Sequence, residues 1–246
     1  MTQGSEGRVI LESDPKASCG QRRSAAMLET IVFARRYQPE TKSANAKPVN
    51  VQPVDIALRF QNSTYRALVD AKGLLNLRSL QPGTYRIDPR EPASGWYLRA
   101  IALDSPAKNP NIARDGLKLA TGERLSGLSI MIAEGAGQLK GQISSGQSTS
   151  QALRVYLVPA EPEAADNVLR FYEARPEADQ SFTLDNINPG KYFIVAHSIT
   201  EKDTAKSIRQ DSNFRATISR EAAAAKKEIS FKPCQQIADY ELTYSP

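Results

Sequence analysis

One phrase occurs twice in this chain, as LNLRSLQPGTYRI at 75–87 and FTLDNINPGKYFI at 182–194. Leu75, Leu77 and Leu80 align with Phe182, Leu184 and Ile187. Pro82-Gly83 aligns with Pro189-Gly190, and Tyr85 and Ile87 align with Tyr192 and Ile194. Apolar residues at every second position place one side of a strand in a core. A turn dipeptide between two such runs, repeated with its flanking pattern, means that one fold unit is present in two copies. The same order of elements surrounds each phrase. A Gly-led strand (Gly7, Gly141) comes first, then an apolar strand (Ile31 to Arg35, Val155 to Pro159). A closing strand with Ile130 and Ile132, or Ile229 and Phe231, comes last. The Gly-rich stretch AEGAG at 133–137 joins the copies.

The rest of the chain keeps the two-residue period. GRVILE, TIVFARR, VDIALRF, TYRALV, LLNLRSL, GTYRIDP, WYLRAIAL and LSGLSIMIA serve the first copy; GQLKGQI, LRVYLVP, SFTLDNI, KYFIVAHSI and EISFKPC serve the second. Short strands separated by Gly, Pro, Asn, Asp and Ser predict antiparallel β-sandwiches. The expected units are 6–134, with long loop insertions at 13–28 and 38–53, and 137–245. One helix is expected in the second unit near 211–225, where Asp211 or Ser212 can cap an alanine-rich run. A weaker helical turn is expected around PEAADNVLRFYE at 162–173.

Within the repeated phrase, proline pre-sets the first central turn position and glycine supplies positive φ, which predicts a type II hairpin turn. Tyr85 and Tyr192 fall on the inward phase, where the ring buries and the hydroxyl meets backbone at the sheet margin. Both tyrosines are therefore read as structural.

Chemistry is sparse. The single histidine, His197, ends a strand and reads as a surface residue, and the two cysteines, Cys19 and Cys234, are not in metal-binding spacing. The acidic loops EPEAADN and EKD lack the spacing of a calcium loop. GERLSGLS and GAGQLKGQ precede strands and do not form phosphate loops. No cofactor, metal site or catalytic residue is expected. The net charge of +5 comes from basic residues scattered among acids, as in QRRSAAM and AAAAKKE, which argues against a nucleic-acid partner. The two cysteines admit one disulfide, which needs an oxidising compartment, or two separate thiols. No apolar run follows Met1, consistent with a cytoplasmic protein or with a signal already removed. Candidate contact residues are Trp96 and Tyr97, an aromatic pair that could stack on a sugar or anchor a protein.

GQLKGQIS, VYLVPAE and FTLDNINPGKYFIVA together resemble carboxypeptidase regulatory-like domains, within the prealbumin-like and collagen-adhesin B-type sandwiches. The family pattern G-x-F-x-L-x-x-L-x-P-G-x-Y is nearly whole in the second copy, with Ser181 in place of its first glycine. The first copy keeps GLLNLRSLQPGTY. Tandem copies ending in KPCQ and YEL resemble bacterial, acidobacterial-type envelope proteins. The resemblance implies sandwiches of transthyretin type in a non-catalytic interaction or structural module, located in the periplasm, on the cell surface or outside the cell. The implied partner is a protein or a larger assembly, with a membrane reached only through an anchor outside this chain. The alternative is a carbohydrate-binding module using Trp96 and Tyr97.

Overall fold

The two-residue period becomes fifteen strands among the described residues. In the computed structural model these are residues 4–12, 55–60, 63–68, 74–78, 80–89, 95–103, 111–121, 123, 127–145, 152–201, 203–204 and 206–244. The expected strand at 30–36, the insertions at 13–28 and 38–53, and Cys19 lie outside them. The chain divides into two compact units, Met1–Glu134 and Gly135–Pro246.

The first unit holds β1 (Gly4–Glu12), β2 (Asp55–Phe60), β3 (Ser63–Leu68), β4 (Leu74–Arg78) and β5 (Gly83–Pro89). It continues with β6 (Trp96–Leu103), the short helix α1 (Ile112–Asp115), β7 (Leu117–Leu119) and β8 (Leu128–Glu134). One sheet runs β4-β1-β8-β6 and the other β3-β2-β5-β7. The second unit holds β9 (Gly137–Ser145), β10 (Leu153–Pro159), β11 (Tyr172–Ala174), β12 (Ser181–Ile187) and β13 (Gly190–Ser198). Helix α2 (Ser212–Ala225), β14 (Glu228–Phe231) and β15 (Gln236–Tyr244) complete it. Its sheets run β12-β9-β15 and β11-β10-β13-β14. The protein is all-β, two sandwiches in tandem, with the one long helix among the described residues in the second.

The two copies agree in register as well as in order. Gly7 pairs with Leu75 as Gly141 pairs with Phe182. Leu58 pairs with Ile87 as Leu157 pairs with Ile194, and Tyr85 pairs with Leu117 as Tyr192 pairs with Ile229. Leu58 also faces Tyr65 as Leu157 faces Tyr172, an equivalence the sequence does not advertise. In each unit the ladders are antiparallel except one, where the opening strand runs parallel to the closing strand.

That parallel pair corrects the alignment of the closing strands. β8 sits beside β1 as β15 sits beside β9, so Ile130 and Ile132 match Leu242 and Tyr244. Ile229 and Phe231 instead match Leu117 and Leu119. Both strands alternate apolar residues, and β14 is the more hydrophobic, which misled the reading of sequence alone. The apolar strand of the first copy that pairs as β10 does is β2, not 31–35.

The core of the second unit gathers Leu139, Val155, Leu157, Phe182, Leu184, Ile187, Tyr192, Ile194, Phe231 and Leu242 from the inner faces of both sheets. β10 is buried at six consecutive positions because its other face is covered as well. Tyr156 and Val158 of β10 and Val195 of β13 pack there against Phe214, Ile218 and Ala222 of α2. Those three helix residues recur every fourth position, the spacing of one helical face. Asp211 caps the helix by accepting from the Phe214 N–H at 2.9 Å, and Lys226 ends it in a left-handed conformation at φ 53°. An isolated helix of this length is marginal in water, so burial of Phe214 and Ile218, about 1.5–3 kcal/mol each, holds it in place. The weaker helical turn is present as two 3-10 turns, Pro162–Ala164 and Val168–Arg170.

Leu184→Ala should destabilise the protein by roughly 2–5 kcal/mol, because the side chain is 3% exposed in a two-sheet core. Its exposed neighbour Thr183 should tolerate alanine within about 0.5 kcal/mol. Urea unfolding of both variants checks the assigned strand phase.

Candidate functional site

The Pro-Gly phrase makes no hairpin. β4 and β5 lie in different sheets, as do β12 and β13, so each phrase is an arch carrying the chain across the sandwich. Gly83 has φ 151° and Gly190 φ 143°, far from the φ near +80° that a type II turn requires. A connection between sheets needs a wider backbone path than a connection between adjacent strands. At each arch the tyrosine two residues beyond the glycine is fully buried. Its hydroxyl donates back to the carbonyl of the residue before the proline, Tyr85 to Gln81 at 2.7 Å and Tyr192 to Asn188 at 2.6 Å.

Around the second arch the polar side chains bond to one another and to backbone, while Arg170 Nη2 lies buried against Gly190 without a hydrogen-bond partner among the described residues. The Tyr192 hydroxyl accepts from Arg170 Nε at 3.2 Å, and the Arg170 guanidinium lies 4.9 Å from the Tyr192 ring centre. Arg170 Nη1 donates to Glu161, whose other carboxylate oxygen accepts from the Lys191 N–H at 3.2 Å. The Tyr172 hydroxyl donates to Asn188 Oδ1 at 2.5 Å and accepts from the Asn188 N–H at 2.8 Å. Any Cβ on Gly190 would overlap the Arg170 guanidinium, so the arginine requires the glycine as much as the backbone does. Desolvation raises the pKa of Glu161, but the Arg170 hydrogen bond and the Lys191 N–H outweigh it and hold the carboxyl below its ordinary value. Burial pushes the Tyr172 and Tyr192 hydroxyls up, so both stay neutral donors.

The chemistry-bearing residues singled out by sequence are dispersed. His197 is half-buried rather than free at the surface. Its Nδ1 lies 2.7 Å from Glu221 Oε2 on α2, and its ring meets Tyr156 and Phe214 edge-on at 6.3 and 6.1 Å, so it fastens the helix to β13. In the acidic loops, Glu161 is engaged by Arg170, and Asp203 accepts from Lys206 Nζ at 2.8 Å and Thr200 Oγ1 at 2.5 Å. Among the described residues no group of three or more His, Cys, Asp or Glu is placed to hold a metal ion, and no helix is long and apolar enough to cross a membrane. Cys234 is disulfide-bonded. Trp96 and Tyr97 open β6 opposite Glu134 and Ala133, each half-buried. Consecutive strand residues point to opposite faces, so the pair does not form one flat platform.

Among the described residues, backbone bonding capacity remains at the sheet edges, and β15 is one of them. β15 ends its sheet, pairing with β9 on one side only among the described strands. Its nine residues run for about 30 Å. Leu242 and Tyr244 are buried in the core, and Ile237 and Tyr240 pack against it, while Asp239, Glu241 and Thr243 are exposed. A bulge breaks the register between Ile237 and Tyr240, with Asp239 at φ 57°. The strand comes so close to β9 that a Cβ on Gly141 would overlap the Tyr240 carbonyl. Sequence reading missed β15 because its polar residues and bulge obscure the period; Tyr240, Leu242 and Tyr244 are the alternation that betrays it.

Tyr192→Phe should cost roughly 1–3 kcal/mol, since it leaves the buried Asn188 carbonyl and Arg170 Nε without their partner. Tyr85→Phe should cost less, about 0.5–1.5 kcal/mol, because Gln81 is exposed and water can take over its carbonyl. Hydrogen exchange, which reads the two units separately, checks the order. The lowered Glu161 pKa makes its contribution complete above the ordinary carboxyl value of 4.5 and progressively lost as pH falls below it. Glu161→Gln should flatten that part of the acid unfolding curve.

No protein-family model matches the chain, and no curated protein matches it. Among solved structures it is similar to the TIE protein of Bacillus anthracis, at 9% identity and TM-score 0.30 over 98% of this chain and 33% of that one. It is also similar to a single B repeat unit of the collagen binding surface protein of Staphylococcus aureus, at 7% identity and TM-score 0.28 over 82% and 87%. GBS52, the minor pilin of Streptococcus agalactiae, matches at 9% identity and TM-score 0.29 over 99% and 97%. The chain thus spans about a third of the length of the TIE protein. At these TM-scores the likenesses are distant, and the fold rests on the strand order and register of the chain itself.

Proposed function

We propose that the chain is a non-catalytic, tandem β-sandwich module that holds protein partners within an exported or envelope-associated assembly. The observation that carries this reading is the use made of the polar side chains. Glu161, Arg170, Tyr172, Asn188, Tyr192, His197 and Glu221 are spent on one another or on backbone, where they fasten arches and a helix. What such a scaffold offers a partner is surface and sheet edge. Within this reading, 6–134 and 137–245 are two independently folding domains. The phrase from Ser181 to Tyr192 supports a closer kinship with carboxypeptidase regulatory-like domains. No observation on this chain favours the sugar-binding alternative.

Export is supported by Cys234. A chain with two cysteines closes that disulfide on Cys19 or on another chain, and either bond needs an oxidising compartment. A membrane would be reached through an anchor outside the chain, and nucleic acid is not among the partners. The test is the intact mass of protein taken from its producing cells and alkylated under denaturing conditions. At most one adduct should form before reduction and two should form after it; two adducts without reduction would remove the exported location.

A further inference from the structure

Among the described residues the two units match in register strand by strand, and one strand of the first has no counterpart in the second. β8 and β15 are equivalent through their parallel pairing with β1 and β9. On its other side β8 carries β6, antiparallel, from Trp96 opposite Glu134 to Leu103 opposite Leu128. Among the described strands β15 ends its sheet at the corresponding place. We infer that the outer edge of β15 is a docking strand for an extended segment of a partner protein, bound antiparallel and alternating apolar with basic residues. This rests on the interaction-module reading above and names the partner chemistry of that module.

The apolar half of the alternation follows from β6. Leu98 and Ile101 extend the inner face of the first unit and are 6% and 9% exposed. They pair with Ile132 and Ile130, whose equivalents on β15 are Tyr244 and Leu242. A strand laid on β15 in the same sense therefore sets its inward residues beside Leu242 and Tyr244, at the rim of the core. Its N–H and C=O groups complete the ladder, which supplies affinity, while alternate side chains supply choice.

The basic half follows from charge. The solvent face of β15 presents Asp239 and Glu241. β6 carries exposed Arg99 at the register shift between Leu98 and Ala100, and Ala102 at the outward position that corresponds to Glu241. Lysine or arginine at outward positions of the segment meets the two carboxylates, and opposite charges across a ladder stabilise it.

The same two carboxylates disfavour a second copy of this chain in the registers centred on Tyr240 or Glu241. An antiparallel β15–β15 pair centred on Tyr240 would place Asp239 opposite Glu241 twice, and like charges directly opposite are destabilising. Two guards restrict the edge further. The bulge at Asp239 interrupts it near its start, and Lys227 Nζ donates to the Thr243 carbonyl at 2.6 Å near its end. Lysines and bulges of this kind keep open edges from joining indiscriminately. A bound segment takes over the Thr243 carbonyl with its own N–H and releases Lys227 to solvent.

The probe is a fluorescent peptide of the β6 sequence carrying Ala102→Lys, the position that the matched registers set opposite Glu241, with solubilising lysines at both ends, titrated into the full chain by anisotropy. Saturable binding is expected, with slowed amide exchange confined to 236–244. Methylating alternate backbone nitrogens of the peptide should abolish binding. Glu241→Lys should weaken it about three- to tenfold, since exposed charge pairs contribute modestly. It should also raise self-association, because Asp239 would then face a lysine across a β15–β15 pair. Thermal melting confirms that the variant is folded, and Asp239→Lys serves as the second variant. Absence of saturable binding up to about 1 mM, a millimolar limit being the weak end of specific recognition, overturns the proposal. So does binding that survives backbone methylation or protects other strands. A wild-type dimer protected at 236–244 would make the occupant a second copy and overturn the basic-segment assignment. These failures leave the cysteine oxidation result, and with it the exported-module reading, standing.

Discussion

Each sandwich is built on a crossing between its sheets, and the hydroxyl of one tyrosine on the carbonyl just before a proline fixes that crossing. Two sheets stacked face to face gain their stability from the side chains between them, but that core forms only after the chain has crossed from one sheet to the other. The crossing at Pro82-Gly83, and again at Pro189-Gly190, exposes backbone that neither ladder can use. Tyr85 and Tyr192 solve both difficulties with one side chain, a ring in the core and a hydroxyl on the arch. The second arch is reinforced by Arg170, Glu161 and the Tyr172–Asn188 pair.

The same economy explains why the second unit has so little loose chemistry. His197 and Glu221 face one another across the junction of β13 and α2, and Arg215 of α2 is buried with its guanidinium on the carbonyls of Ile208 and Arg209. These groups cannot be removed from their partners without freeing a helix or a loop. The helix in turn closes the outer face of β10 and β13, leaving the margins of the sheets as the places where backbone can still pair.

Much of this architecture was legible in the sequence. The duplicated phrase gave the repeat, the phase of Tyr85 and Tyr192, and the alternation that assigns Leu184 to the core. Asp211 and the alanine run marked the helix. The reading failed where local pattern and tertiary role part company. A Pro-Gly between two strands looks the same whether those strands are neighbours in one sheet or members of two. β14 and β15 both carry alternating apolar residues, and only pairing with β9 reveals which one closes the unit. β15 itself was hidden by Asp239, whose left-handed conformation shifts the period by one residue. His197 was read as exposed because nothing local announces that a helix more than a dozen residues downstream will lie across it.

Between the arch-bearing strand and its next partner the two copies part: the first places β6 and α1 between β5 and β7, the second places α2 between β13 and β14. One scaffold has thus accepted an added strand and an added helix at a single junction, with the same pairing of Tyr85 to Leu117 and Tyr192 to Ile229 on either side. For protein engineering, that junction is a graft point. New length spliced there enters a frame already shown to close around two unrelated inserts.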